Sequence, residues 1–117
     1  MIKGIGLDLV ELERIEKAMA RSNKFAQRIL TERERALFQP LSPTRKVEFL
    51  AGRFAAKEAY AKANGTGIGK NCELHQIEIL QNEQGAPELF FNGELARCFI
   101  SITHTQQVAA AQVILMR

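Results

Sequence analysis

Residues 43–64 (PTRKVEFLAGRFAAKEAYAKAN) read as one uninterrupted helix, and everything else in the chain must be arranged around it. Ser42 suits the N-cap, Pro43 the first helical position, and Gly65 the stop. At about 100° per residue, Val47, Leu50, Ala51, Phe54, Ala55 and Ala61 share one broad face, with Glu58 near its middle. An ionised carboxylate taken out of water needs a partner, because its desolvation otherwise costs several kcal/mol or more. A glycine-rich loop with a cation at its end, Gly65-Thr66-Gly67-Ile68-Gly69-Lys70, follows one turn later. Together these features point to a metal-and-phosphate site.

The chain of 117 residues makes a single domain, 1–117, large enough to fold without staples. Its 46% hydrophobic and 25% charged residues exclude a disordered chain. A net charge of +3 favours an acidic partner: nucleic acid, a phosphorylated small molecule or an acidic protein. Cys72 and Cys98 form no C-x-x-C pair and read as two reduced thiols of a cytoplasmic protein. An acid at the eighth residue argues against a signal peptide. No apolar run is long enough for a membrane span.

The expected class is α+β, with helices, including the long central one, packed on a mainly antiparallel sheet. Ile2 to Leu9 alternates as a strand, Ile5, Leu7 and Leu9 on one side and Ile2, Gly4, Gly6 and Asp8 on the other. A helix starts near Val10 with Leu12, Ile15 and Met19 inward, and a second short segment covers 24–30. Thr31 with Glu34 resembles a capping box opening a turn through Phe38. Beyond the glycine loop the period changes to two. Ile77 and Ile79 mark a strand, Asn82 to Gly85 a turn, Leu89 to Phe91 a second strand, and Asn92-Gly93 a further turn. Glu94 to Cys98 reads as a short helix. Ile100 to Thr103 and Val108 to Met116 form a hairpin around His104. The last strand is apolar on both sides apart from Gln112, so part of its cover is expected from another subunit.

Each candidate residue also has a plainer role. Asp8, three residues before Glu11, fits an N-cap with a capping box as well as a ligand. Glu58 fits a buried ion pair, although such pairs stabilise weakly. Two carboxylates from separate elements suit Mg²⁺, which takes few protein oxygens and completes its octahedron with phosphate and water. Gly65 fits a simple C-cap. The loop is neither a P-loop nor a dinucleotide fingerprint, so what remains is backbone N–H groups near Arg53, Lys57, Lys62 and Lys70, suited to a pyrophosphate. His104, between Thr103 and Thr105, fits either a solvated loop or a phosphate contact. His75 reads as surface. The stripe of Arg14, Lys17, Arg21, Lys24 and Arg28, interrupted only by nearby Glu13, would dock something negative. With no aromatic neighbour but Phe25, it is poorly built to stack nucleic-acid bases.

Three separated segments carry a specific resemblance: Gly6-Leu7-Asp8-Leu9-Val10-Glu11 with Arg14; Phe54-Ala55-Ala56-Lys57-Glu58-Ala59 with Lys62-Ala63 and Gly65-Thr66-Gly67; and Ser101-Ile102-Thr103-His104. In order and spacing, over essentially the whole chain, they resemble the short bacterial branch of the 4′-phosphopantetheinyl transferase superfamily, the holo-acyl-carrier-protein synthases. The resemblance implies transfer of the phosphopantetheine arm of coenzyme A to a serine of apo acyl carrier protein for fatty acid biosynthesis. It implies Asp8 and Glu58 as ligands of Mg²⁺, or of Mn²⁺ in its place. Asp8, Glu58 and Lys62 would be the catalytic set, with Lys62 on the pyrophosphate and Glu58 a candidate base. Coenzyme A would be held by Arg45, Arg53, Lys57, Lys62, Gly65, Thr66, Gly67, Pro87, His104 and Thr105, with Arg53 and His104 addressing the 3′-phosphate. Arg14, Arg21, Lys24, Phe25 and Arg28 would receive the carrier protein. The resemblance also implies a homotrimer with sites between neighbours, and neither nucleic acid nor membrane as partner. Two departures stand out: Ala86 replaces a usual basic residue, and Gln106-Gln107 replaces charged ones. The rival is a non-catalytic basic module that binds a nucleotide or nucleic acid.

Overall fold

The structure is a computed structural model that describes residues 1–117. In chain order it comprises β1 (Ile2–Glu11), α1 (Leu12–Arg21), α2 (Phe25–Ile29), α3 (Glu32–Phe38), α4 (Pro43–Asn64), β2 (Ile77–Gln81), β3 (Pro87–Phe91), β4 (Glu94–Leu95), β5 (Cys98–His104) and β6 (Val108–Met116). Two antiparallel three-stranded sheets form, β1-β6-β5 and β2-β3-β4. No helix is long and apolar enough to cross a membrane.

Helix α4 has the expected bounds, because its end signals are local. The Ser42 side chain accepts from the Arg45 N–H, Pro43 fills the first position, and Gly65 closes the helix at φ 85°. Its surroundings differ from the expectation of a single inner face. Leu50, Ala51, Ala55, Ala56, Ala59, Tyr60, Ala61 and Ala63 are buried all round the axis, so α4 is a central rod and not a surface helix. The first sheet lies against it closely enough that only glycine fits. A Cβ on Gly6 would stand 1.7 Å from the Ala59 carbonyl oxygen, and one on Gly4 2.0 Å from that of Ala63.

Three local expectations change. Strand β1 runs to Glu11, because its ladder with β6 continues through Asp8↔Ala111 and Val10↔Ala109, and α1 begins only at Leu12. Asp8 is therefore a strand residue and not a helix cap. Glu94 to Cys98 is not helical: Asn92 (φ 52°) and Gly93 (φ 83°) turn the chain back so that Glu94 and Leu95 pair with Phe91 and Phe90. The apolar side of β1 faces outward. Ile5, Leu7 and Leu9 are 58%, 57% and 67% exposed, and Phe99 on β5 is 68% exposed. The ladders align Ile5, Ile114 and Phe99 in one rung, so this is a continuous uncovered apolar face.

Candidate functional site

The inner face of β1 and the least buried strip of α4 together build one cleft. Along α4, Phe54 and Glu58 are half-buried and Lys62 is exposed, at successive one-turn spacings. Glu58 thus lies at the open seam of the rod, not in the middle of a buried face. Burial on every other side of α4 makes this seam the one direction in which a carboxylate stays near water. Asp8 reaches the same seam from β1, its side chain 16% exposed, and Lys62 Nζ donates to Asp8 Oδ1 and to the Leu7 carbonyl, both at 3.0 Å.

The cleft holds about 510 Å³ and is lined by Asp8, Glu58, Phe54, Arg14, Arg21 and Phe25, among others. Burial pushes the Glu58 carboxyl above its usual range, the Asp8 charge pushes it further, and Lys62 opposes both. Two carboxylates at one seam, with the Asp8 charge raising the protonation of Glu58 and Lys62 opposing it, are a donor set that a divalent cation fits. No third His, Cys, Asp or Glu joins them, so phosphate and water oxygens would complete such an ion's shell.

A second cavity, of about 270 Å³, shares no residue with the first. Arg45, Arg53, Pro87 and His104 line it, with Glu48, Phe49, Gly52 and Gly85. Arg53 enters from below: its guanidinium lies over the Phe49 ring at 4.1 Å and its Nε donates to the Ile79 carbonyl at 3.1 Å. Burial lowers its pKa, with Glu34 opposing the shift. Glu48 stands between His104 (3.5 Å) and Arg45 (3.8 Å). An incoming anion would have to displace this carboxylate from both. Three basic side chains in one concavity are a phosphate receptor in outline.

Several residues expected at the coenzyme are engaged within the chain itself. Lys57 is fully buried, and its ammonium spends its donors on the Ile29 carbonyl (2.6 Å), Glu34 Oε1 (2.7 Å) and the Leu74 carbonyl (3.1 Å). It has no donor left for a coenzyme, because its position in α4 points into the interior. Most amides of the glycine loop are also engaged. Gly65, Thr66 and Gly67 all turn their N–H groups back to the last turn of α4, and Gly69 and Cys72 bond each other. The Thr105 hydroxyl accepts from Gln107 and Val108 N–H, fixing the β5–β6 turn. Of the docking stripe, Arg14, Lys17, Arg21 and Phe25 line the carboxylate cleft, Arg28 borders a separate groove with His75, and Lys24 serves as N-cap of α2.

Glu34 was legible only as a capping residue. It does cap, closing a reciprocal box with Thr31, but it is also the buried counter-charge of Lys57 and accepts from the Ile79 N–H at 2.8 Å. The available signal was Lys57-Glu58 itself: two adjacent charges in an apolar helix cannot both face its seam.

Comparison with known proteins places these features in context. Residues 4–114 match the family model of the 4′-phosphopantetheinyl transferase superfamily. A holo-[acyl-carrier-protein] synthase of a Geobacillus species is 59% identical over 117 residues, covering 100% of this chain and 98% of that one. Among solved structures, the Bacillus anthracis holo-(acyl-carrier-protein) synthase in complex with CoA (3′,5′-ADP) superposes with a TM-score of 0.87 at 48% identity, over 98% of this chain and 96% of the other. The Neisseria meningitidis holo-[acyl-carrier-protein] synthase gives 0.90 at 35% identity over the whole of both chains.

Proposed function

The chain belongs to the 4′-phosphopantetheinyl transferase superfamily, and from that premise we propose that it transfers the phosphopantetheine arm of coenzyme A to a serine of an apo acyl carrier protein. Adenosine 3′,5′-bisphosphate is the other product, and the loaded carrier serves fatty acid biosynthesis in the cytoplasm. One observation carries the reading: Asp8 and Glu58, 50 positions apart in sequence, line a single cleft with Arg14, Arg21 and Phe25.

The residues divide the work as follows. Arg14, Arg21 and Phe25 seat an acidic helix of the carrier so that its serine enters the cleft. Asp8 and Glu58 would hold Mg²⁺, which when bound would neutralise charge growing on the departing phosphate. The serine oxygen attacks the β-phosphorus, and the bond from that phosphorus to the bridging oxygen breaks. Glu58 is the candidate to accept the serine proton, directly or through a water. Lys62 exchanges its contact with Asp8 for the pyrophosphate. Arg53 and His104, with Arg45, bind the 3′-phosphate.

The basic cavity and the carboxylate cleft share no lining residue. We infer that a single coenzyme spans the cleft of one subunit and the basic cavity of its neighbour. The exposed face of Ile5, Leu7, Leu9 and Phe99 is the surface that would join them, in a homotrimer. The test is direct. Purified protein, an apo carrier, coenzyme A and Mg²⁺ are combined, and the intact mass of the carrier is read. A phosphopantetheine adduct is expected. An unmodified carrier, together with salt-steep oligonucleotide binding, would replace this reading by the nucleic-acid module.

A further inference from the structure

Strand β2 is the outer strand of its sheet, so half of its backbone groups face away from β3. At Ile79 both outward groups are taken by side chains. Its N–H donates to Glu34 Oε2 at 2.8 Å, and its carbonyl accepts from Arg53 Nε at 3.1 Å. Glu34 Oε2 also lies 3.9 Å from Arg53 Nε, and Glu34 Oε1 receives Lys57 and the Thr31 N–H. The carboxylate is wholly buried and Arg53 is 7% exposed. Arg53 therefore has its inner nitrogen fixed by a residue that Glu34 holds from the other side. Its ring-stacked terminus is left for the basic cavity it lines.

We propose that Glu34 is a positioning residue for recognition of the coenzyme's 3′-phosphate, acting by fixing Ile79 and the base of Arg53. Glu34 touches no ligand itself. The inference rests on the reading of Arg53 as a 3′-phosphate ligand. Without the carboxylate charge, the Ile79 N–H keeps at most a neutral acceptor and Arg53 loses its buried counter-charge, so the guanidinium is free to leave the aim that the phosphate requires. The lost contact is one charge-assisted hydrogen bond to phosphate, and it concerns only a ligand that carries that phosphate.

The experiment measures dissociation constants for coenzyme A and for 3′-dephospho-coenzyme A by calorimetry. Wild type, Arg53→Gln, Glu34→Asp and the double variant Glu34→Gln/Lys57→Met are compared. The double variant removes Glu34 together with Lys57, which spares the fold the fully buried ammonium that Glu34→Gln alone would strand and leaves Arg53 as the one cation without its counter-charge. Glu34→Asp keeps the pair charged but draws the carboxylate back by one methylene. Wild type is expected to prefer coenzyme A, and Arg53→Gln to lose most of that preference. In the double variant the preference should fall by roughly tenfold or more, with 3′-dephospho-coenzyme A bound about as in wild type. Glu34→Asp should shift in the same direction by less. Equal weakening of both ligands, or an unchanged preference in folded Glu34→Asp, would overturn the proposal. A wild type that binds the two ligands alike would instead remove the phosphate reading of Arg53 beneath it.

Discussion

Replacing Gly6 by alanine separates what holds the site together from what performs the chemistry. The added Cβ would sit 1.7 Å from the Ala59 oxygen, 2.7 Å from its carbon and 2.9 Å from the Ala63 nitrogen. All three are backbone atoms of α4, so no rotamer change relieves the clash. To widen 1.7 Å to the 3.0 Å that real contacts require, β1 must retreat by about 1.3 Å. Overpacking costs about 1–3 kcal/mol, and a forced backbone shift belongs at the upper end. For a domain of this size, about 3 kcal/mol lowers the melting temperature by roughly 10 °C. Asp8 lies two residues further along the same face of β1, and its retreat opens the distance to Glu58. Misplacement by ~1 Å reduces turnover by about a hundredfold. The assay pairs calorimetric melting with carrier loading read by intact mass, at saturating coenzyme A and well below the lowered melting point. Gly4→Ala is the control: its clash is similar, but Asp8 is twice as far along the strand, so stability should fall with a smaller loss of turnover. A Gly6→Ala protein that melts like wild type, or that is less stable yet turns over normally once folded, refutes this account of the strand-helix contact.

Glu58→Gln should lower turnover by at least about a hundredfold while leaving the metal-free protein no less stable at pH 7. Because folding raises the Glu58 pKa, its stabilising share is full below the unfolded value near ~4.3. It is lost as pH rises through the higher folded value. The variant's advantage in melting temperature should therefore shrink as pH falls toward 4, and a variant that melts lower than wild type at pH 7 would contradict the assignment. Reversing Arg14 and Arg21 to glutamate should raise the carrier KM by an order of magnitude or so and leave coenzyme affinity alone, as checked by separate titrations of the two substrates. Leu7→Glu or Phe99→Glu, placing charge on the uncovered face of the sheet, should convert a trimer to monomers by light scattering; a trimer that survives both changes would take that face out of the interface.

What could be read from sequence, and what could not, divides along a physical line. The bounds of α4 follow from Ser42, Pro43 and Gly65, whose effects are local. The Thr31–Glu34 box and the Asn92-Gly93 turn are local for the same reason. The fate of Glu94–Cys98 depends on pairing with Phe90 and Phe91, which no helix propensity reports. Asp8 became a strand residue because β6, a hundred positions later, continues the ladder past it. The glycine loop reads as a set of free amides, yet those of Gly65, Thr66 and Gly67 find acceptors in the helix it terminates. The arginine and histidine of the basic cavity were legible as a motif, but Glu48 between them was not.

The rod-like burial of α4 explains why its charges were the hardest residues to place. A helix with one buried face announces its orientation through its period; one buried nearly all round does not. In α4 the direction is instead set by which few positions are charged. Arg53 and Lys57 are one turn apart, so both lean toward β2 and α3, where Glu34 receives them. Glu58, about 100° further round, faces the cleft with Lys62 one turn above it. The same spacing therefore sends one cation to the basic cavity, buries a second as a strut, and leaves a carboxylate at the seam. Adding or deleting one residue near position 56 would rotate the rest of the helix by that same angle. The carboxylate would leave the seam and Lys57 would leave its three acceptors. The Lys57-Glu58 order is thus fixed from both sides, by the strut's acceptors within and by the Asp8 cleft without.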